Sequence, residues 1–270
     1  MDLFVDDNQT VIIADYENQR IIQWRMNDTN GQIVAGGHGS GNLLEQLTNP
    51  VQVFLEKDIN SLIICEWGNR RVVRWSRSSA TTQGELLINN VQCRGLTMDD
   101  QRNLYISEYQ KHEVRRYQVE QKTLTVVAGG NGPGAGLNQL NSPRYLFVDR
   151  QQSIYVSDTD NDRVMKWSKG AKEGIVVAGG KGQGASLTQL SRPRGLFIDT
   201  YGTVYVVDSL NHRVVRWVQG AKQGTVIVGG NGTGEGANQL SYPEGLSFDH
   251  HGNLYVADQF NHRVQLFTIE

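Results

Sequence analysis

The sequence predicts an all-β fold: one domain of six repeated, four-stranded antiparallel sheets arranged as the blades of a propeller. Three observations predict it. An eleven-residue word, Asp208-Ser-Leu-Asn-His-Arg-Val-Val-Arg-Trp-Val218, recurs along the whole chain. Its copies are almost evenly spaced, and the residues between them fall into short runs rich in β-branched and aromatic side chains.

Clear copies of the word are Asp15 to Trp24, Glu66 to Trp75, Asp158 to Trp167 and Asp258 to Phe267. A sixth, Glu108 to Tyr117, keeps the frame but not the key residues. Placed by the residue before the Val or Ile, the copies fall at Arg20, Arg71, Glu113, Arg163, Arg213 and Arg263, spaced 51, 42, 50, 50 and 50 residues. Such periods belong to propeller blades or solenoid units, and local pattern decides between them. Leu196 to Asp199, Val204 to Asp208, Arg213 to Trp217 and Gly224 to Val228 are four runs bounded by Gly, Asn and Asp, here labelled strands a, b, c and d. No stretch has helical spacing over three turns. Nearly every strand position is apolar, so both faces of each sheet need cover, and neighbouring blades supply it. The blades run approximately 1–37, 50–90, 93–130, 143–180, 193–230 and 243–270, within a single domain 1–270. Tyr105, Tyr155, Tyr205 and Tyr255 in strand b, and Trp24, Trp75, Trp167 and Trp217 ending strand c, are expected in the inter-blade core.

Between strand d and the next strand a lies a second word, from Gly36-Gly to Pro50, Gly129-Gly to Pro143, Gly179-Gly to Pro193 and Gly229-Gly to Pro243. Four loops of 15 residues, each with a Gln-Leu pair, read as structural. They lack the spacing of a phosphate-binding loop. The loop is missing between copies two and three. Met1 to Asp6 already sits inside a repeat, so the N-terminus is expected to be truncated. Copy six ends after strand c, so its blade is expected to have three strands and an open edge.

Thirty glycines, five prolines and 8% aromatic residues suit a turn-rich β protein. The formal net charge of -2 and pI of about 6.3 supply no field favouring nucleic acid or an anionic membrane. No apolar run is long enough to span a bilayer, so no membrane insertion is expected in this segment. Cys65 lies inside a strand and Cys93 replaces a loop proline, so a disulfide between them is not expected. The Asn-x-Ser/Thr sequons at Asn8, Asn27 and Asn231 are about what chance gives so Asn-rich a chain.

The Asp-x-x-Asn-x-Arg-Val turn, the strand before it and the Gly-Gly to Pro loop together resemble the NHL repeat, over essentially the whole chain. The Asn-His pairs at Asn211-His212 and Asn261-His262 strengthen the resemblance. It implies a six-bladed β-propeller used mainly for binding proteins or RNA. Copy three departs from the pattern, so its blade is expected to be the least regular. The six-bladed amidating lyase, similar in fold to NHL proteins, uses a histidine-bound metal at its axis. No histidine enters strand a here.

Asp15/Arg20, Glu66/Arg71, Asp158/Arg163, Asp208/Arg213 and Asp258/Arg263 face each other across the b–c hairpin and are expected to form bidentate structural staples. Copy three has Glu108 and Glu113 instead, with Arg115 and Arg116 nearby. The acids closing strand a, Asp6, Glu56, Asp99, Asp149, Asp199 and Asp249, are expected to cap turn amides rather than bind calcium. The histidines form no zinc spacing, and no nucleophile–base set stands out. No catalytic residue, metal or cofactor is therefore assigned.

The informative position is one that varies. Just after the loop Pro, at the start of strand a, stand Asp2, Gln52, Arg94, Arg144, Arg194 and Glu244. Strand a is innermost in a propeller, so these residues are expected to ring the channel mouth. Three arginines in a row, with Tyr145 beside Arg144, have the composition of a binding hot spot able to converge on one anionic group. The expectation is a non-enzymatic scaffold recognising a protein or peptide through the loop-bearing face, monomeric unless the open edge pairs. Single-stranded RNA binding is an alternative that the net charge disfavours. A lyase-like or lactonase-like enzyme is a more remote one.

Overall fold

The computed structural model describes residues 2–26, 28–78 and 81–269; the sequon at Asn27 lies outside them. Blade one comprises β1 (Asp2–Val5), β2 (Val11–Asp15), β3 (Arg20–Trp24) and β4 (Gln32–Gly36). Blade two comprises β5 (Pro50–Glu56), β6 (Ser61–Glu66), β7 (Arg71–Ser76) and β8 (Glu85–Asn89). Blade three has β9 (Cys93–Met98), β10 (Asn103–Glu108), β11 (Glu113–Gln118) and β12 (Thr123–Gly129). Blade four has β13 (Pro143–Val148), β14 (Ile154–Asp158), β15 (Arg163–Trp167) and β16 (Ile175–Gly179). Blade five has β17 (Pro193–Ile198), β18 (Val204–Asp208), β19 (Arg213–Trp217) and β20 (Thr225–Gly229). Blade six has β21 (Pro243–Phe248), β22 (Leu254–Asp258) and β23 (Arg263–Phe267). Each is an antiparallel meander, and the last sheet has three strands. The molecule is a six-bladed propeller.

The apolar residues bury between blades. Tyr155, Val164 and Ala178 of blade four interlock with Leu196, Val206, Val215 and Trp217 of blade five. The loop leucines Leu47, Leu140, Leu190 and Leu240 are fully buried and pin the Gly-Gly loops onto this core. Gly229 has φ +74°, and a Cβ there would lie 2.4 Å from the His212 carbonyl oxygen, so the loop start admits only glycine. Blade three forms a complete four-stranded sheet. Its irregularity is confined to the staple, where Glu108 and Glu113 share Arg115, and Lys111 also pairs with Glu108.

The staples do more than expected. All five acid–arginine pairs form, at 2.7–2.8 Å, but through the arginine Nε alone. They are not bidentate, because in blades two, four, five and six the terminal nitrogens are used elsewhere. Arg213 donates from Nη1 to the Ala185 carbonyl and from Nη2 to the Ser186 and Gln189 carbonyls. Asp208 accepts the Ser191 amide, and Asn211 donates to Asp208 and to the Gly184 carbonyl. Each such staple therefore clamps the Gly-rich loop that leads into its own blade.

The disulfide expectation is corrected: Cys65 and Cys93 are bonded, with their Cα atoms 5.7 Å apart. A proline-like position at the start of β9 and the penultimate residue of β6 are distant in sequence pattern. Inter-blade packing makes them neighbours, at a separation ordinary for a disulfide.

Candidate functional site

A β-bulge builds the channel mouth. In blade five Pro193 pairs with Asp208, but Leu196 pairs with Val206, so strand a carries one extra residue. The same slip occurs in blades two, three, four and six. A bulge of this kind re-aims side chains, and here it offers the first of the two residues between those pairs to the mouth and the second to the channel below. The first tier holds Val51, Arg94, Arg144, Arg194 and Glu244. The second holds Asp2, Gln52 and Tyr145, with Gly95, Gly195 and Gly245 at the equivalent places.

This divides the six positions expected to form one ring. Asp2 pairs with Ala14 and Gln52 with Cys65, one residue before their staple acids, as Gly95 pairs with Ser107. They belong to the lower tier, and the mouth position of blade two is Val51. The gap after the loop proline is one residue longer for Gln52 than for the arginines, which the sequence already contains. Gln52 is occupied with structure: its side-chain oxygen accepts the Leu96 amide of the next blade. Gly95 is glycine because a Cβ would approach the Arg144 carbonyl oxygen to 2.0 Å.

Each arginine-bearing bulge is tied to the preceding blade by the residue one before the staple acid. Ser107 donates to the Arg144 carbonyl, and Ser157 to the Arg194 carbonyl. Cys65 holds the same place in blade two, and its disulfide to Cys93 fixes the residue before Arg94. Blades one and five have Ala14 and Val207 there, which offer no such tie. Rigid backbone support under a polar side chain is what a preorganised site needs.

The mouth closes over a cavity of about 60 Å³ lined by Tyr16, Val51, Arg94, Arg144, Tyr145, Arg194, Glu244 and Gln259. Arg194 and Glu244 form a close ion pair, and Arg144 Nη1 stands 3.6 Å from the other Glu244 oxygen. Arg94 has no ion pair among the described residues. Its guanidinium lies 3.8 Å from the centre of the Trp67 ring and 5.6 Å from that of Tyr109. Burial, reinforced by the like charge of Arg144, pushes Arg94 down to about 10. Arg144 is lowered for the same first reason, followed by Arg194. The Nε atoms of all three arginines and the Tyr145 hydroxyl are buried without a hydrogen-bond partner among the described residues. Burial holds the Tyr145 hydroxyl far above its ordinary titration range. In the lower tier burial raises Asp2 to about 7.

Tyr16, Trp67 and Tyr109 were not singled out from the sequence. They occupy one place, directly after the staple acid, where blades four to six carry Thr159, Ser209 and Gln259. The signal was a second variable position inside a repeated word. The aromatic arc spans blades one to three and overlaps the arginine arc of blades three to five at Arg94. Trp67 and Tyr109 meet edge to face, with centres 5.5 Å apart.

The other expected groups stay out of the mouth. Asp6, Asp99, Asp149, Asp199 and Asp249 accept turn amides at the far end of strand a, while Glu56 pairs with Arg74 and Arg102. His112 and His212 accept loop amides through Nδ1. Among the described residues no group of three His, Cys, Asp or Glu is placed to hold a metal.

No family model matches the chain, and no curated protein matches it. Solved structures do. An auxiliary nutrient binding protein from Bacteroides thetaiotaomicron is similar over 100% of this chain and 68% of its own, at 16% identity and TM-score 0.75. A gluconolactonase from Xanthomonas campestris is similar over 100% and 85%, at 15% identity and TM-score 0.71. A streptogramin B lyase is similar over 100% and 93%, at 11% identity and TM-score 0.64. At these identities the likeness is one of fold, shared by binding proteins and enzymes alike.

Proposed function

We propose that the chain is a non-enzymatic binding scaffold of the NHL kind, recognising a protein or peptide through the arginine-bearing mouth of its channel. The observation that carries this reading is the overlap of two arcs at one half-buried, unpaired cation. Arg94 lies against Trp67, beside Arg144 and Tyr109. Aromatic and arginine residues at a partly desolvated centre are the residue types that dominate interface energies. Exposed Phe260 packs against Tyr242 on the same loop face, extending the surface available to a partner.

The mouth favours binding over catalysis. Its lining holds no imidazole, thiol or activated hydroxyl, and its one carboxylate, Glu244, is engaged by Arg194. The likeness to a nutrient binding protein agrees with the reading. The likenesses to a lactonase and a lyase are likenesses of fold, and fold alone carries no activity to this mouth. Single-stranded RNA is the weaker ligand class, because acids close the far end of the channel and the chain is acidic overall.

The test is a fluorescence-polarisation screen of a random peptide library, repeated with an Arg94→Glu plus Arg194→Glu variant. Selected peptides are expected to lose binding to the variant. Peptides that bind both proteins equally would place recognition elsewhere.

A further inference from the structure

Within the proposed mouth, the ligand group itself can be specified, an inference that rests on the reading just given. Arg94, Arg144 and Arg194 face one carboxylate, Glu244, which lies against Arg194 and only loosely against Arg144. Arg94 is left over. A half-buried guanidinium beside two others, with no anion of its own, is costly to hold unless something neutralises it. The Tyr145 hydroxyl is a second unsatisfied group: the residue is 5% exposed, lines the cavity, and its oxygen has no partner among the described residues. Burial keeps that hydroxyl protonated, so it is a donor. Two arginines and a phenol O–H facing one small hollow offer an excess of donors and of positive charge, and their complement is an acceptor with negative charge.

We infer that this cavity is an oxyanion subsite, taking one carboxylate or phosphoryl group between Arg94, Arg144 and the Tyr145 hydroxyl, beneath the Trp67–Tyr109 wall. The hollow is small, about 60 Å³, which suits one such group better than the body that carries it. The rest of the ligand therefore stays above the mouth, where the aromatic wall stands. Glu244 acts as an internal competitor. Its carboxylate shows that these arginines accept an oxyanion from the side, and it sets the charge that an incoming anion must overcome.

Isothermal titration of the whole chain with inorganic phosphate, and separately with acetate, tests the inference without any peptide. One anion per chain is expected. Saturation by phosphate but not acetate assigns a phosphoryl source, and the converse assigns a carboxylate. Tyr145→Phe removes a single oxygen and leaves the packing, so it is expected to fold and to weaken binding about tenfold. Arg94→Gln should weaken it further. Glu244→Gln is expected to strengthen binding several-fold, which a purely structural residue would not do. Failure of both anions to saturate, or equal binding by wild type, Tyr145→Phe and Arg94→Gln, would overturn the subsite. The peptide screen fails independently: peptides bound without an anionic group would keep the scaffold reading and remove this one.

Discussion

Asp2 shows how far one side chain departs from its isolated chemistry in this channel. It is buried one layer beneath the arginines, and that burial raises its carboxyl from 3.8 to about 7. The folded state thus keeps a proton that the unfolded chain releases near pH 4. Its contribution is fully present below about pH 4 and is lost as pH rises through about 7, by roughly 1.4 kcal/mol for each unit of displacement. Asp2→Asn cannot lose a proton. Thermal midpoints of the two proteins are expected to agree near pH 4 and to diverge towards pH 8, with the variant the more stable. Parallel curves across that range would mean that Asp2 is solvated. Residue identities at such places were legible in the sequence; their depth was not. Asp2 and Gln52 looked like mouth residues because one bulged position separates two tiers, and a bulge is a property of strand pairing. Tyr16, Trp67 and Tyr109 were hidden differently: they sit inside a conserved-looking turn word whose structural duty masked the variation at its second letter.

Among the elements, the b–c hairpin was the most legible, since every copy spells both ends of its staple. The clamp on the preceding loop was not, because a carbonyl acceptor leaves no mark on residue type. It has a measurable consequence. Arg213 is buried and holds Asp208 plus three loop carbonyls. Among the described residues Arg20 holds only Asp15, at a pair exposed by 35% and 19%. Arg213→Ala leaves a fully buried carboxylate unpaired and is expected to cost about 3–5 kcal/mol. Arg20→Ala should cost about 1 kcal/mol or less, as surface pairs do. Chemical denaturation of the two variants gives the comparison, and equal losses would reduce Arg213 to a simple ion pair. The disulfide illustrates the same limit of sequence reading. Cys65 and the bulge-supporting Ser107 and Ser157 share a register, but their partners belong to the next blade. The chain entropy of a 28-residue separation makes the Cys65–Cys93 link worth about 3–4 kcal/mol.

At the scale of the whole molecule, six copies of a word and a constant loop length made the propeller legible, including its three-stranded last blade. Repetition also separates structure from function. Residues that recur in every blade hold blades together, and those that change from blade to blade at one register are free to meet a ligand. Charge is divided between the two ends of the channel: arginines collect at the loop-bearing mouth, while acids stand at the other end, Glu56 paired with Arg74 and Arg102 and the aspartates satisfied by turn amides. Side-chain Nε–Hε resonances of arginine, followed by NMR during titration with an acidic peptide from the screen, report whether a ligand enters the mouth. Arg94 and Arg144 are expected to shift first and furthest, while the staple resonance of Arg213 stays fixed. Shifts confined to residues outside the mouth, with Arg94 unmoved at saturation, would contradict it.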